Sequence, residues 1–183
     1  NAPNAQNEAL KQLKMRAIET ARLLLYEVTI LDVPFYFELF NSKGWLQFIG
    51  DRNVKSIADV EKLITERYLP SFDNLGYGTY TAFAKDTRKP IGCCGFYKRP
   101  SLDVPDLGFA FLDTEVGKGY GYETAAALIA QVKKDRSITN YIAFTVKENV
   151  ASITLLEKLG MQVSGTITLP GGPEVLLVFK NVD

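Results

Sequence analysis

The segment Glu115–Lys134, EVGKGYGYETAAALIAQVKK, decides how the chain reads. Gly117, Gly119 and Gly121 stand at every second position, immediately ahead of an alanine-rich helical pattern. A helix N-terminus carries unpaired N–H groups and the positive end of the helix dipole, and both favour an anion. Removing side chains lets that anion touch the backbone, and Lys118 adds a mobile positive charge. The same glycines also suit a plain tight turn, so spacing alone leaves a structural role open beside phosphate binding. Other phosphate motifs fit worse: the P-loop pattern G-x-x-x-x-G-K-S/T is absent, and a dinucleotide fingerprint needs G-x-G-x-x-G hard against its strand. Here the spacing is G-x-G-x-G, and Asp113–Val116 lies between strand and glycines.

Working outward, DLGFAFLD (Asp106–Asp113) reads as a strand before the glycines and YIAFTV (Tyr141–Val146) as one after the helix. That makes 106–146 a strand, crossover helix, parallel strand unit. Upstream, RLLLYEVT (Arg22–Thr29) predicts a first strand and Asp32 a helix cap before VPFYFELFN. Ser56, with Asp59 three residues on, predicts a capped helix carrying Ile57, Val60, Ile64 and Tyr68 at helical spacing. GTYTAFAKD and PIGCCGFYKR flank the turn-rich DTRKP and predict a hairpin. Downstream come a helix in ASITLLEKLG and two strands, MQVSGTITL and EVLLVFKN, separated by PGGP. This order predicts an α+β fold, a mixed α/β sandwich. Residues 4–17 look helical but polar, so 1–18 is expected to be an N-terminal extension and 19–183 a single domain.

Composition narrows the function classes. The 183 residues are 46% hydrophobic, enough for one sizeable core, and the 21 Lys and Arg balance the 21 Asp and Glu. No basic run interleaved with aromatics suggests a nucleic-acid surface, so a polyanionic partner must be caught locally. Every apolar run is too short to span a bilayer and no leader pattern is seen, giving an expectation of no membrane partner and a cytoplasmic location. Cys93 and Cys94 are adjacent, and a trans peptide holds their Cα atoms about 3.8 Å apart, below the roughly 4.4 Å at which disulfides begin. They are expected to be free thiols on opposite faces of one strand.

Two motifs carry a family resemblance. VGKGYGYETAAALI (Val116–Ile129), followed by NVASITLLEKLGM (Asn149–Met161), resembles the acetyl-coenzyme A binding core of the GNAT N-acetyltransferases, in particular the ribosomal-protein-alanine acetyltransferase-like branch. The family's loop, Arg/Gln-x-x-Gly-x-Gly/Ala, maps onto Val116, Gly119 and Gly121, with Val116 departing from the charged or amide residue. Its second motif is met by Asn149, Ser152, Leu155, Lys158, Leu159 and Gly160. ETARLLLYEVT and PIGCCGFY resemble the family's first and third strands, so the likeness extends over about residues 19–181. The resemblance implies a central mixed, mostly antiparallel sheet of about seven strands with helices on both faces. It implies a splay between the fourth and fifth strands, 106–112 and 141–146, to take the pantetheine arm. It implies acetyl-coenzyme A as cosubstrate without a metal. Val116, Gly117, Lys118, Gly119, Tyr120, Gly121 and Tyr122 would hold the pyrophosphate, and Asn149 and Lys158 would lie along the coenzyme.

Acetyl transfer needs an amine that loses its proton, a polarised thioester carbonyl and a leaving thiolate that is protonated or stabilised. The chain has no histidine. A base must be a carboxylate raised by burial or a water relayed by polar groups, and Asp106 and Glu174 are the candidates, each with an ordinary surface role as the alternative. Where relatives place Tyr for the thiolate this chain has Leu156, so Ser152, one turn earlier, is the candidate there, with close packing as its alternative. Asn149 also suits a helix cap. KGWLQFIGDR puts Trp45 and Phe48 where the family selects its acceptor, as an apolar entrance or as core or dimer contacts. The expected acceptor is a peptide or protein α-amine, with a small amine such as a polyamine, amino acid or antibiotic as the alternative. A non-catalytic acyl-coenzyme A module is the reading from another class. Either a monomer or a homodimer is compatible.

Overall fold

The structure, a computed structural model, describes residues 17–182. Its strands are β1 (Ile18–Glu19), β2 (Leu23–Glu27), β3 (Thr79–Ala84), β4 (Pro90–Tyr97), β5 (Asp106–Phe111), β6 (Ile142–Thr145), β7 (Gln162–Ile167) and β8 (Leu176–Lys180). They form one sheet in the order β1-β2-β3-β4-β5-β6-β8-β7, antiparallel except between β5 and β6. The expected sheet of about seven strands thus gains a short edge strand, in which Ile18 pairs with Leu25. The sequence places Ile18 in the N-terminal extension. The helix expected over 4–17 lies outside the described residues, apart from Ala17.

Alternation along β4 sends side chains to two cores. Cys94 and Phe96 join Leu107, Ala143 and Phe179 under α5 (Tyr120–Asp135) and α6 (Val150–Lys158), with Leu128, Ile129 and Leu156 from those helices. Cys93 faces the other way, into a cluster with Tyr36, Phe40, Trp45, Val60 and Tyr68. That second layer comprises α1 (Val33–Phe40), α2 (Lys43–Phe48), α3 (Ile57–Leu63) and α4 (Leu69–Leu75). Helices therefore cover both faces, and both cysteines are buried free thiols. Burial pushes the Cys93 thiol up to about 12 and Cys94 higher still, so neither is a nucleophile at neutral pH.

The Ser56–Asp59 capping box forms as expected. The helix that follows is interrupted by a π-helical turn, Ile64–Tyr68, in which the Leu69 N–H reaches back to the Ile64 carbonyl. Pro70 has no N–H for the Glu66 carbonyl, and the wider turn ahead of it absorbs the defect. Asp32 precedes α1 but makes no side-chain cap. Thr29 caps the preceding 3-10 turn, while the Asp32 carboxylate accepts from the Thr29 N–H and, at 2.9 Å, from the Thr81 hydroxyl across the sheet. Among the described residues no helix is long and apolar enough to cross a membrane.

Strands β5 and β6 meet at a single pair, Asp106 with Ile142, where the Ile142 N–H donates to the Pro105 carbonyl. Beyond it β5 continues to pair only with β4 as far as Phe111. The sheet is closed at Asp106 and splayed toward Phe111, and the glycine segment begins at the open end.

Candidate functional site

After β5 the chain makes a 3-10 turn, Asp113–Glu115, and reaches Gly117 and Gly119, both at φ +84°. This is the left-handed region that residues with a Cβ avoid. Gly119 is the N-cap of α5, and the first bond of that helix runs from the Glu123 N–H to the Gly119 carbonyl. At the start of α5, among the described residues, no hydrogen bond is recorded for the backbone amides from Gly119 to Tyr122. A Cβ on Gly117 would meet nothing within 4 Å, and one on Gly119 only Arg22 Nη2 at 3.4 Å. Gly121 is different: a Cβ there would lie 2.6 Å from Leu155 Cδ1. The first two glycines set an open backbone, and the third lets α5 approach α6.

Arg22 at the edge of β2, not singled out by the sequence, orders this loop. Its Nε pairs with Glu123 Oε1 at 2.8 Å, its Nη1 donates to the Lys118 carbonyl at 2.9 Å, and its guanidinium lies 4.3 Å over the Tyr120 ring. Glu123 also accepts from the Thr20 hydroxyl and the Arg22 N–H. Burial alone would raise the Glu123 carboxyl, but these bonds outweigh it and hold it below its usual range. In a trans peptide C=O and N–H point in opposite directions. With the Lys118 carbonyl turned toward Arg22, the Gly119 N–H points away from Arg22, to the open side. Lys118 Nζ pairs with Glu115 at 2.8 Å, Lys158 Nζ stands 4.2 Å over the Tyr122 ring, and Val116 is exposed.

The three catalytic candidates occupy different settings. Asp106 sits at the closed end of the splay, 3% exposed, with Oδ1 accepting from Arg99 Nε at 3.0 Å. Burial pushes its carboxyl up, and Arg99 only partly opposes this. Glu174 does not open the last strand, which starts at Leu176; it is exposed in the loop that follows Pro170–Pro173. Pro173 cannot donate to a ladder, and Gly171 is left-handed, so the loop extends past the acid. Ser152 is half-buried on α6, and its N–H donates to the Oδ1 of Asn149, the N-cap of that helix. Leu156, one turn on, is 1% exposed within the core rather than in the splay.

On the α1–α4 side, Trp45 is buried rather than at an open entrance, its ring 4.6 Å from Phe40; Phe48 is half-buried. Tyr68 lies 6.5 Å from Phe40 and from Tyr97, giving a continuous aromatic floor. Tyr97 is the register partner of Asp106, and its ring covers Gly108, where a Cβ would lie 3.0 Å from Tyr97 Cε2.

A profile of the acetyltransferase (GNAT) domain matches residues 22–162, which contain both the glycine loop and the splayed strand pair. The chain belongs to the GNAT acetyltransferase family. Over 81% of its length it is 27% identical to an N-acetyltransferase of unknown substrate, YnaD of Bacillus subtilis, covering 84% of that protein. It is also 27% identical, over 80% of its length and 77% of the relative, to aminoglycoside N(6')-acetyltransferase type 1 of Klebsiella pneumoniae. Its fold superposes on RimL, a ribosomal L7/L12 α-N-protein acetyltransferase solved in complex with coenzyme A, with a TM-score of 0.78 at 18% identity over 91% of this chain and 98% of that one. The GNAT chain described here is an acetyl-coenzyme A-dependent N-acetyltransferase, with the mixed, mostly antiparallel sheet of that fold.

Proposed function

We propose that the enzyme transfers the acetyl group of acetyl-coenzyme A to the α-amine of a protein or peptide N-terminus, by direct attack in a ternary complex. The observation that carries the coenzyme assignment is the run of unpartnered amides from Gly119 to Tyr122, behind a backbone held open by two left-handed glycines. An open space where a Cβ would sit at Gly117, and N–H groups at a helix start, fit a pyrophosphate. Acetyl-coenzyme A supplies the activated thioester. The chain supplies the rest: the loop amides bind, the splay between β5 and β6 orients the arm, and Asp106 takes the amine proton, directly or through water. The amine nitrogen bonds to the acetyl carbon as the carbon–sulfur bond breaks, and the departing sulfur takes a proton with help from Ser152.

The α-amine is favoured by proton cost. At pH 7 a lysine amine of pKa about 10.4 costs about 4.6 kcal/mol to neutralise, against about 1 kcal/mol for an α-amine near 7.7. A site without histidine matches the smaller demand. The likeness to an aminoglycoside N(6')-acetyltransferase supports a small amine as the second reading. Incubating the enzyme with acetyl-coenzyme A, a peptide library and a panel of polyamines, amino acids and aminoglycosides, read by mass spectrometry, separates them. Acetylation at peptide N-termini is the expected result. Modification confined to lysine side chains or small amines would overturn it, and tight coenzyme binding without turnover would point to a non-catalytic module.

A further inference from the structure

Two guanidiniums, those of Arg99 and Arg52, flank the acceptor side of the splay. Arg99 stands at the point where β5 and β6 part: its Nε holds Asp106, and its guanidinium lies 5.0 Å over Phe144 of β6. At the other end of the aromatic floor, the Arg52 guanidinium lies 5.3 Å over the Trp45 ring and 5.9 Å over Phe40. Arg52 has no ion pair among the described residues. The carboxylate beside it in sequence, Asp51, is taken by Lys55 and the Asn53 N–H, and Asp32 on the same layer is taken by Thr81 and Thr29. The buried Nε1–H of Trp45, in the ring under Arg52, has no acceptor among the described residues. The Tyr68 hydroxyl, raised by burial, is drawn back by Arg52 first and then by Arg67 and Arg99, so the three guanidinium fields overlap on this floor. Two guanidiniums thus frame the floor: Arg99 is paired with Asp106, and among the described residues no carboxylate pairs with Arg52.

We infer that the acceptor carries a carboxylate close to the amine that is acetylated, and that Arg52 receives this carboxylate over the Phe40–Trp45 platform. Guanidinium offers a planar pair of donors to a carboxylate, and an aromatic base restricts its orientation. The acid belongs to a side chain near the start of a peptide or to a free amino acid; a polycation such as an aminoglycoside meets like charge from Arg52. The inference rests on the acetyl-transfer reading above and narrows its substrate class.

The test compares five-residue peptides that differ only in Asp, Asn or Lys at the second and third positions, together with free aspartate, its diamide and kanamycin. Wild-type enzyme and the Arg52→Gln and Arg52→Lys variants are assayed by thiol release. The expected result is a kcat/KM at least tenfold higher for the Asp peptide than for the Asn peptide, a ratio that falls at least fivefold in Arg52→Gln and is partly restored in Arg52→Lys. A preference for free aspartate over its diamide, with no contrast among peptides, assigns the carboxylate to an amino acid. A wild-type ratio at or below one, a ratio unchanged in Arg52→Gln, or preference for the Lys peptide or kanamycin overturns the inference. Calorimetric titration of the N-acetylated Asp and Asn peptides into the protein saturated with coenzyme A reads the same contrast without turnover. If no amine is acetylated, the transfer reading fails, while equal binding of the two acetylated peptides overturns the carboxylate site on its own.

Discussion

Replacing Asp106 by Asn changes the chemistry of one position while leaving its geometry almost intact. The amide is isosteric with the carboxylate, and its oxygen can still accept from Arg99 Nε, now 3.0 Å from Oδ1. What disappears is a group able to take a proton. A positioned base contributes about 10²–10⁴-fold, so kcat is expected to fall by about 100-fold, equivalent to about 2.7 kcal/mol of barrier. Stability moves differently. Asp106 is buried and its carboxyl is raised, so its folded pKa lies above its unfolded value of about 3.9. A group raised in this way contributes stability below the unfolded value and loses it as pH rises through the folded value. The Asn variant has no such dependence, so its melting temperature relative to wild type should improve between pH 4 and pH 8. Arg99, with a side chain 36% exposed, has water to replace the lost charge, which keeps the usual cost of an orphaned buried ion small. Thiol release measured from pH 5 to 9 should show a wild-type kcat/KM that rises with pH as both Asp106 and the acceptor amine lose protons, and a variant that keeps only the limb of the amine. A variant with full rate at pH 8 and an intact acid limb would remove Asp106 from the reaction.

Four further substitutions separate the roles of the neighbouring residues. Gly119→Val places a β-branched side chain at φ +84°, a strain of about 1–3 kcal/mol, with its Cβ 3.4 Å from Arg22 Nη2; calorimetric affinity for acetyl-coenzyme A should fall by more than tenfold, whereas Gly121→Ala, crowding Leu155, should instead lower the melting temperature by an overpacking cost of about 1–3 kcal/mol. Arg22→Gln frees the Lys118 carbonyl and should raise KM for acetyl-coenzyme A several-fold with little change in kcat; an unchanged KM would mean that the loop holds its shape unaided. Ser152→Ala, at saturating coenzyme with chemistry rate-limiting, should lower kcat about tenfold if the hydroxyl assists the thiolate, and normal turnover would assign this half-buried residue to packing.

What the sequence made legible was local. The Ser56–Asp59 capping box, the β3–β4 hairpin and the glycines before α5 each place their determinants within a few residues, so pattern and geometry agree. The splay followed from two separated motifs rather than from periodicity, and it appears at the predicted strands, with one Cα pair closing it. Assignments failed where a distant partner won. Asp32 looks like a cap, but its carboxylate is claimed by Thr81, 49 positions away, and Thr29 caps in its place. Trp45 reads equally as an entrance residue or a core residue, and only the packing of Phe40 and the rest of the helical layer, which bury it, decides between them. Glu174 reads as the start of a strand until the proline and glycine run displaces the strand to Leu176. Arg22 carried no signal at all, because its partners Lys118 and Glu123 are 96 and 101 positions on.

Charge is the clearest case of information that composition cannot hold. A sum of zero says that any anion must be bound locally, but not where positive groups remain without partners. In the fold, Arg22 and Lys118 are both committed to carboxylates, so at the coenzyme loop it is the backbone amides that remain available. Across the sheet the order is reversed: among the described residues Arg52 has no ion pair, and Arg99 shares the buried Asp106 at the splay. On the function and inference proposed above, the coenzyme side selects an anion by oriented dipoles and the acceptor side by whole charges. Oriented dipoles are fixed by the fold and lose little to salt, whereas the field of an exposed guanidinium is screened within about 10 Å at 0.1 M ionic strength. Raising the salt concentration should thus weaken discrimination among acceptors well before it weakens binding of acetyl-coenzyme A, and the opposite order would place the selective charge at the glycine loop instead.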